Sequence, residues 1–316
     1  MAILGIDIGG TKTMVGVAEA SGKMLAYKRI ETPCAFGPDV NIKATIAAAR
    51  EVIELARVIV DVIGIGCGGP LDRKSGTLHK VSNLPGWEGI CLTKIFGDEF
   101  GARAYLDNDA TAAAMGEAMF GAGRGVDHIA YFTVSTGIGG GIIINGKPYR
   151  GYGDNAGEFG HTKISPDGPR CNCGDHGCLE SFASGTSIAR IAREGLSRNP
   201  HTILLNWIPS PDEVTAALVA RAAAEGDEFA SRIWSEAMYN LGLGVANVVN
   251  VLNPGLVIIG GGVANAGDLL FEPVRKVVRK RAMPALAADV EIVPAANGDF
   301  TGLMGAFAVA MEEPVA

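Results

Sequence analysis

Residues 157–180 read GEFGHTKISPDGPRCNCGDHGCLE. They place His161 and three thiols, Cys171, Cys173 and Cys178, within eighteen positions. Such a set closes a tetrahedral Zn2+ site. Four protein ligands make a structural clamp, because a catalytic zinc keeps one position open. Gly174 and Gly177 let the chain wrap around an ion. The competing reading is three buried or disulfide-bonded cysteines beside an unrelated histidine. A Cys171–Cys173 bridge would be strained by its short loop. Two carboxylates, Glu158 and Glu180, flank the cluster, so a zinc-stapled loop would hold polar side chains in fixed positions.

The rest of the chain reads as a large soluble α/β protein. It has 316 residues, 48% hydrophobic and 19% charged, too much chain for one compact domain. The formal net charge of -7, with no run of Lys or Arg, argues against a nucleic-acid surface. MAILGIDIGG enters a strand directly, without the basic and apolar regions of a signal peptide. Apolar runs are broken by Gly and Asn before they could span a bilayer. Cys34, Cys67 and Cys91 are scattered and read as small core hydrophobes. A cytoplasmic address is the expectation.

Periodicity places strands at Ile3–Ile8, Thr13–Glu19, Met24–Glu31, Val62–Gly66, Ala104–Leu106, His128–Ser135, Gly141–Ile144 and Leu256–Ile259. It places helices at Asn41–Val60, Thr93–Phe100, Ala110–Phe120, through most of Ser187–Leu252, and at Gly302–Met311. Two glycine-rich turns echo each other, IDIGGTKT at 6–13 and VSTGIGGG at 134–141. In the first, exposed N–H groups and the Thr11 hydroxyl could bond phosphate oxygens, and Asp7 could hold Mg2+. Either turn alone is equally well a plain hairpin. With a third, at Ile258–Val263, and the acidic trio Asp107-Asn108-Asp109 between them, an ATP site is the better reading. A carboxylate from that trio could accept an alcohol's proton during phosphoryl transfer. It could equally cap the Ala-rich helix that follows, as Asp109 does in the competing reading.

Taken together these segments resemble the ROK family. The resemblance runs over essentially the whole chain: GIDIGGTK, NLPGW at 83–87, NDATAAA at 108–114, STGIGGGI at 135–142, GEFGH at 157–161, the CxCGxxGCxE block at 171–180, and IIGGG at 258–262. The cysteine block is the specific part; the glycine turns are shared with the wider hexokinase, actin and Hsp70 superfamily. The resemblance implies a two-domain α/β fold of ribonuclease-H-like topology with the active site in the cleft between domains. The boundaries would be 1–108, joined by the C-terminal helix 301–316, and 109–300. It implies ATP-dependent phosphorylation of a hexose at its 6-hydroxyl, with glucose the leading substrate. N-acetylmannosamine, N-acetylglucosamine and fructose are the alternatives within the family. Asp109 would be the base. Gly69, Asn83, Asn108, Glu158, His161 and Glu180 would bind the sugar. Asp7, Gly10, Thr11, Lys12, Thr136 and Gly137 would serve the phosphates and Mg2+, and Gly261 and Gly262 the adenosine. His161 would use one ring nitrogen for zinc and the other for sugar. A homodimer or homotetramer is implied as well.

Thr111 departs from the family's usual Asn, and Cys67-Gly68-Gly69-Pro70 from its usual Pro-Gly-Pro. Both bear on substrate choice. Family repressors carry a helix-turn-helix ahead of the first glycine turn, and no basic segment stands here to contact a phosphate backbone. A zinc hydrolase would need an open metal position.

Overall fold

The computed structural model describes residues 1–32, 36–79 and 84–312. Asn83, one of the expected sugar partners, and Cys34 lie outside the described residues. In chain order the elements begin with β1 (Ala2–Ile8), β2 (Lys12–Glu19), β3 (Met24–Glu31), α1 (Gly37–Ala56), β4 (Val62–Cys67), β5 (Leu71–Asp72), β6 (Thr77–Leu78), α2 (Leu92–Phe100), β7 (Arg103–Asn108) and α3 (Asp109–Phe120). Then come β8 (Ile129–Val134), β9 (Ile138–Ile144), β10 (Lys147–Pro148), α4 (Leu179–Ala183), α5 (Gly185–Gly195), α6 (Ala216–Ala224) and α7 (Glu228–Leu252). The chain closes with β11 (Leu256–Gly260), α8 (Asp268–Arg281), α9 (Pro284–Asp289), β12 (Glu291–Pro294) and α10 (Thr301–Met311).

Two five-stranded sheets carry the same strand order. The first runs β3-β2-β1-β4-β7 and the second β10-β9-β8-β11-β12. In the first, β1, β2 and β3 are antiparallel neighbours, and β1, β4 and β7 are parallel. In the second, β8, β11 and β12 are parallel. The echo of glycine turns in the sequence is thus an echo of topology.

The chain divides into two compact units. Unit 1 comprises Met1–Asp127, Gly141–Gly157 and Ala296–Ala316, and unit 2 comprises His128–Gly140 and Glu158–Ala295. This division differs from the expected boundary at 108/109: α3 and residues 141–157 fall in unit 1, although β9 and β10 pair in the second sheet. Small residues cause this. A Cβ at Gly116 of α3 would lie 2.6 Å from the Gly305 amide nitrogen of α10, and one at Gly305 would lie 2.5 Å from the Ala112 carbonyl. The two helices pack backbone to backbone, which only glycine and alanine permit.

In unit 1 the period-two pattern of β1 feeds two cores. Leu4, Ile6 and Ile8 join Val52 of α1 and Phe96 of α2, while Ile3 joins Leu303 and Phe307 of α10. Register sets Gly16, Gly5 and Gly64 side by side across β2, β1 and β4. A Cβ at Gly64 would fall 1.8 Å from the Ala306 oxygen. This row of glycines is the trough in which α10 lies.

In unit 2, Pro273 stands inside α8 and cannot donate to Leu269 four residues back. The Trp234 indole of α7 takes that carbonyl instead, at 2.9 Å. The sequence pattern assigns no element over 264–301, where α8, α9 and β12 lie. Helix α1 begins at Gly37 rather than Asn41, with Pro38 in its first turn. It ends before Val60 because Arg57 turns left-handed. Among the described residues, no helix is long and apolar enough to cross a membrane.

Candidate functional site

The parallel strands of unit 1 end in register, with Asp7 opposite Gly66, Gly66 opposite Asp107, and Cys67 opposite both Ile8 and Asn108. From this edge the acidic trio separates into three roles. Asp107 is buried and faces two guanidiniums, Arg150 Nε at 2.9 Å and Arg73 Nε at 3.3 Å. Both arginines also reach Glu312, at 2.8 and 3.0 Å. Asn108 is the cap of α3, its side-chain oxygen accepting from the Ala110 and Thr111 N–H groups. Asp109 is the first residue of the helix and accepts from the Ala110 N–H at 2.8 Å. The capping alternative for Asp109 thus passes to its neighbour. The cap is intact with Thr at 111, whose N–H completes it. Only the Asn108 amide nitrogen remains to meet a ligand, and it points at Gly69, where a Cβ would lie 3.0 Å away.

Breaking the Asp107 cluster leaves a buried charge without its partner. Arg150→Met should lower unfolding free energy by about 3 kcal/mol. Asp107→Asn combined with Arg150→Met should cost less than the sum of the single changes. Denaturant titration of the three proteins reads both results.

Asp7 is the penultimate residue of β1, just before a tight turn in which the Gly9 N–H bonds the Lys12 oxygen at 2.9 Å. Gly10 and Thr11 sit at its tip. Packing around Asp7 strips its solvation, and the nearby Asp109 adds repulsion. Together they raise its pKa to about 7, against a smaller pull from Lys12. Burial likewise raises Asp109. Two carboxylates that resist ionising side by side form a place where a divalent cation would be welcome, which fits Mg2+ at Asp7. The helix start presses on the same group: a Cβ at Gly302 would lie 2.2 Å from an Asp7 carboxylate oxygen.

The raised value has a stability consequence. The native state keeps a proton on Asp7 that the unfolded chain releases above 3.8, so this carboxyl favours folding at low pH and loses that benefit as pH rises through about 7. Asp7→Asn cannot ionise. Its thermal midpoint without Mg2+ should rise relative to wild type between about pH 5 and about pH 8, read by scanning calorimetry.

In unit 2 the turn Ser135-Thr136-Gly137 joins β8 to β9, with Ser135 and Thr136 exposed. Gly261 follows β11 with φ +87°, and a Cβ there would lie 2.4 Å from the Val134 oxygen. Gly262 stands beside the Ser135 hydroxyl. The second glycine turn and the expected adenosine glycines are therefore neighbours.

The ligand atoms of His161, Cys171, Cys173 and Cys178 all lie within 4.8 Å of one another. Cys173 Sγ and Cys178 Sγ are 3.7 Å apart, as are Cys171 Sγ and His161 Nδ1. Tetrahedral ligands on Zn2+ stand about 3.8 Å apart, so the set fits the ion. The five described cysteines, these three with Cys67 and Cys91, are free thiols. Cys67 is a core residue as expected; Cys91 is half-exposed, its thiol against the Ser75 oxygen. His161 gives Nδ1 to the cluster and turns Nε2 toward Glu158, 3.8 Å away. Lys163, absent from the sequence reading, donates to Cys178 Sγ at 3.0 Å and pairs with Asp175 at 2.7 Å. Its cation offsets the surplus charge that three thiolates would bring to one Zn2+.

A family model described as ROK family matches residues 3–313. The chain belongs to the ROK family. It is 36% identical over 312 residues to a glucokinase of Thermotoga maritima, covering 99% of this chain and 98% of that one. Among solved structures, a ROK family glucokinase from Streptomyces griseus in complex with glucose and AMPPNP superimposes with a TM-score of 0.87 at 34% identity, covering 99% of this chain and 100% of that one. The ROK hexokinase of Thermus thermophilus gives 0.82 at 33% identity, covering 98% of each chain. The fold class is the two-domain ribonuclease-H-like one of hexokinase, actin and Hsp70. The ROK motifs fall where each unit has work for them. GIDIGGTK and NDATAAA form the strand edge of unit 1. STGIGGGI begins at the exposed turn of unit 2, and Glu158–His161 of GEFGH, the cysteine block and IIGGG lie in unit 2 as well.

Proposed function

We propose that this protein is a glucokinase, transferring the γ-phosphoryl group of ATP to the 6-hydroxyl of glucose, with Asp109 as the base. The observation that carries the assignment is the division of labour in the acidic trio. Asp107 is engaged by two arginines and Asn108 by a helix end, which leaves Asp109 as the carboxylate for chemistry. Its raised pKa brings it closer to the working pH of a proton acceptor.

Asp109 takes the proton as the sugar oxygen attacks the γ-phosphorus. The bond from that phosphorus to the bridging oxygen breaks, and ADP departs. Asn108 through its amide nitrogen, Gly69, Glu158, His161 through Nε2, and Glu180 are the sugar-side groups. Gly10, Thr11, Lys12, Thr136 and Gly137 are the phosphate-side groups. Gly261 and Gly262 serve the adenosine. Mg2+, held at Asp7, would offset phosphate charge during transfer. Zn2+ on its four ligands would fix His161 and the chain leading to Glu180. Near end-to-end similarity to glucokinases supports glucose as the substrate. A cytoplasmic address and a homo-oligomer belong to the same reading, checked by fractionation and sedimentation.

The deciding test is ADP release from Mg-ATP with glucose, mannose, fructose, N-acetylglucosamine and N-acetylmannosamine. Turnover with glucose well above the others is the expected result. Preference for an N-acetyl sugar would move the substrate and keep the mechanism. No turnover with any of the five would overturn the assignment.

A further inference from the structure

The zinc loop meets the second glycine turn at Ile138 from two sides. The Ile138 N–H donates to Glu180 Oε2 at 2.9 Å. Its carbonyl oxygen lies against Gly160, where a Cβ would fall only 2.0 Å away. Gly160 adjoins the ligand His161, and Glu180 stands two residues after the ligand Cys178. The same Glu180 oxygen crowds Gly137, whose Cβ would lie 2.4 Å from it. The front of the turn is held as well: Ser135 N–H bonds the Gly137 oxygen at 2.9 Å, and Gly185 N–H bonds the Ser135 oxygen at 2.7 Å.

We infer that Gly160 and Glu180 form a clasp through which the metal loop sets the shape of the Ser135–Ile138 turn. Glu180 is then a positioning residue for nucleotide as well as a sugar partner. The inference rests on the reading of that turn as a phosphate site. It gives Gly137 a different reason from the one its motif suggests. Glycine there leaves room for the Glu180 carboxylate, which a side chain would displace, besides letting a phosphate approach. The Glu180 carboxylate is the acceptor that shields the Ile138 N–H, so its removal opens that amide to solvent. Cys178 caps α4, the short helix that carries Glu180, so release of the metal loosens the carboxylate at its root.

The test measures hydrogen exchange at the Ile138 amide and Mg-ADP affinity by calorimetry, with no sugar present. Glu180→Ala should lose protection at that amide and bind Mg-ADP about tenfold more weakly, the scale of one hydrogen bond to a charged group. Glu180→Gln, which still offers an oxygen, should keep both. Gly137→Ala should weaken Mg-ADP in the wild-type background and add nothing in the Glu180→Ala background. Chelating the metal from wild-type protein should raise exchange at Ile138 without any substitution, which covers the case in which Glu180→Ala does not fold. Unchanged exchange in Glu180→Ala, or in chelated wild type, overturns the clasp. So do additive losses from the two substitutions. Lost protection with unchanged Mg-ADP affinity upholds the clasp and overturns the phosphate role given to the turn.

Discussion

Asp109→Asn should lower kcat by on the order of 10³-fold, the usual contribution of a positioned general base. Glucose affinity should change by no more than about threefold. Asparagine keeps the size of the side chain and can still accept from the Ala110 N–H, so the start of α3 survives. What it loses is the capacity to take a proton. The wild-type pH profile makes the same point. Burial raises Asp109, so kcat/KM should fall on acidification at a pH above the ordinary carboxylate range. In Asp109→Asn that acid limb should be missing from the residual rate. Near-normal turnover in the variant, or an unshifted acid limb, would remove Asp109 from the mechanism.

The second large effect is on the metal loop. Cys178→Ser, at a fully buried ligand, should abolish zinc retention. It should lower Tm by about 10 °C, which corresponds to roughly 3–5 kcal/mol in a chain of this size. Metal content by mass spectrometry and scanning calorimetry with and without chelator measure both. Glucose binding should weaken in step, because His161 and the helix start leading to Glu180 lose their anchor. Chelated wild type should reproduce the thermal shift, while chelation of Cys178→Ser should add nothing. A protein that keeps its zinc and its Tm after this substitution would mean that the four ligands are not the site.

The legible part of the site was the part written in neighbouring residues. Cys171, Cys173 and Cys178 sit within eight positions, and the fold only had to bring His161 ten residues back toward them. The glycine turns were legible for the same reason. The acidic trio was legible as a place from its own residues, and as a set of roles only through the family resemblance. Which carboxylate is engaged in ion pairs depends on Arg150, 43 residues from Asp107, and on Glu312, 162 residues from Arg150. No local signal marks either. Lys163 and the Ile138 clasp were missed likewise, since an N–H···S contact or a buried amide has no signature in composition.

The domain boundary shows the same division. The helix at 109–120 was readable from its alanines and its cap. Its allegiance to unit 1 was not, because that rests on Gly116 meeting Gly305 almost two hundred residues away.

By itself the sequence determined the chemistry available to this protein: a zinc set, two glycine turns, an acidic strand end, and strands whose apolar alternation builds two sheets. These follow from local spacing, because the metal, the turn and the strand each impose a short-range geometry on the backbone. The tertiary structure alone decided which of three consecutive polar residues is tied up in ion pairs, which histidine nitrogen faces the three thiols, and which carboxylate stands against Gly137. Those depend on charge pairing, desolvation and excluded volume between groups far apart in the chain, and such terms exist only once the chain has folded.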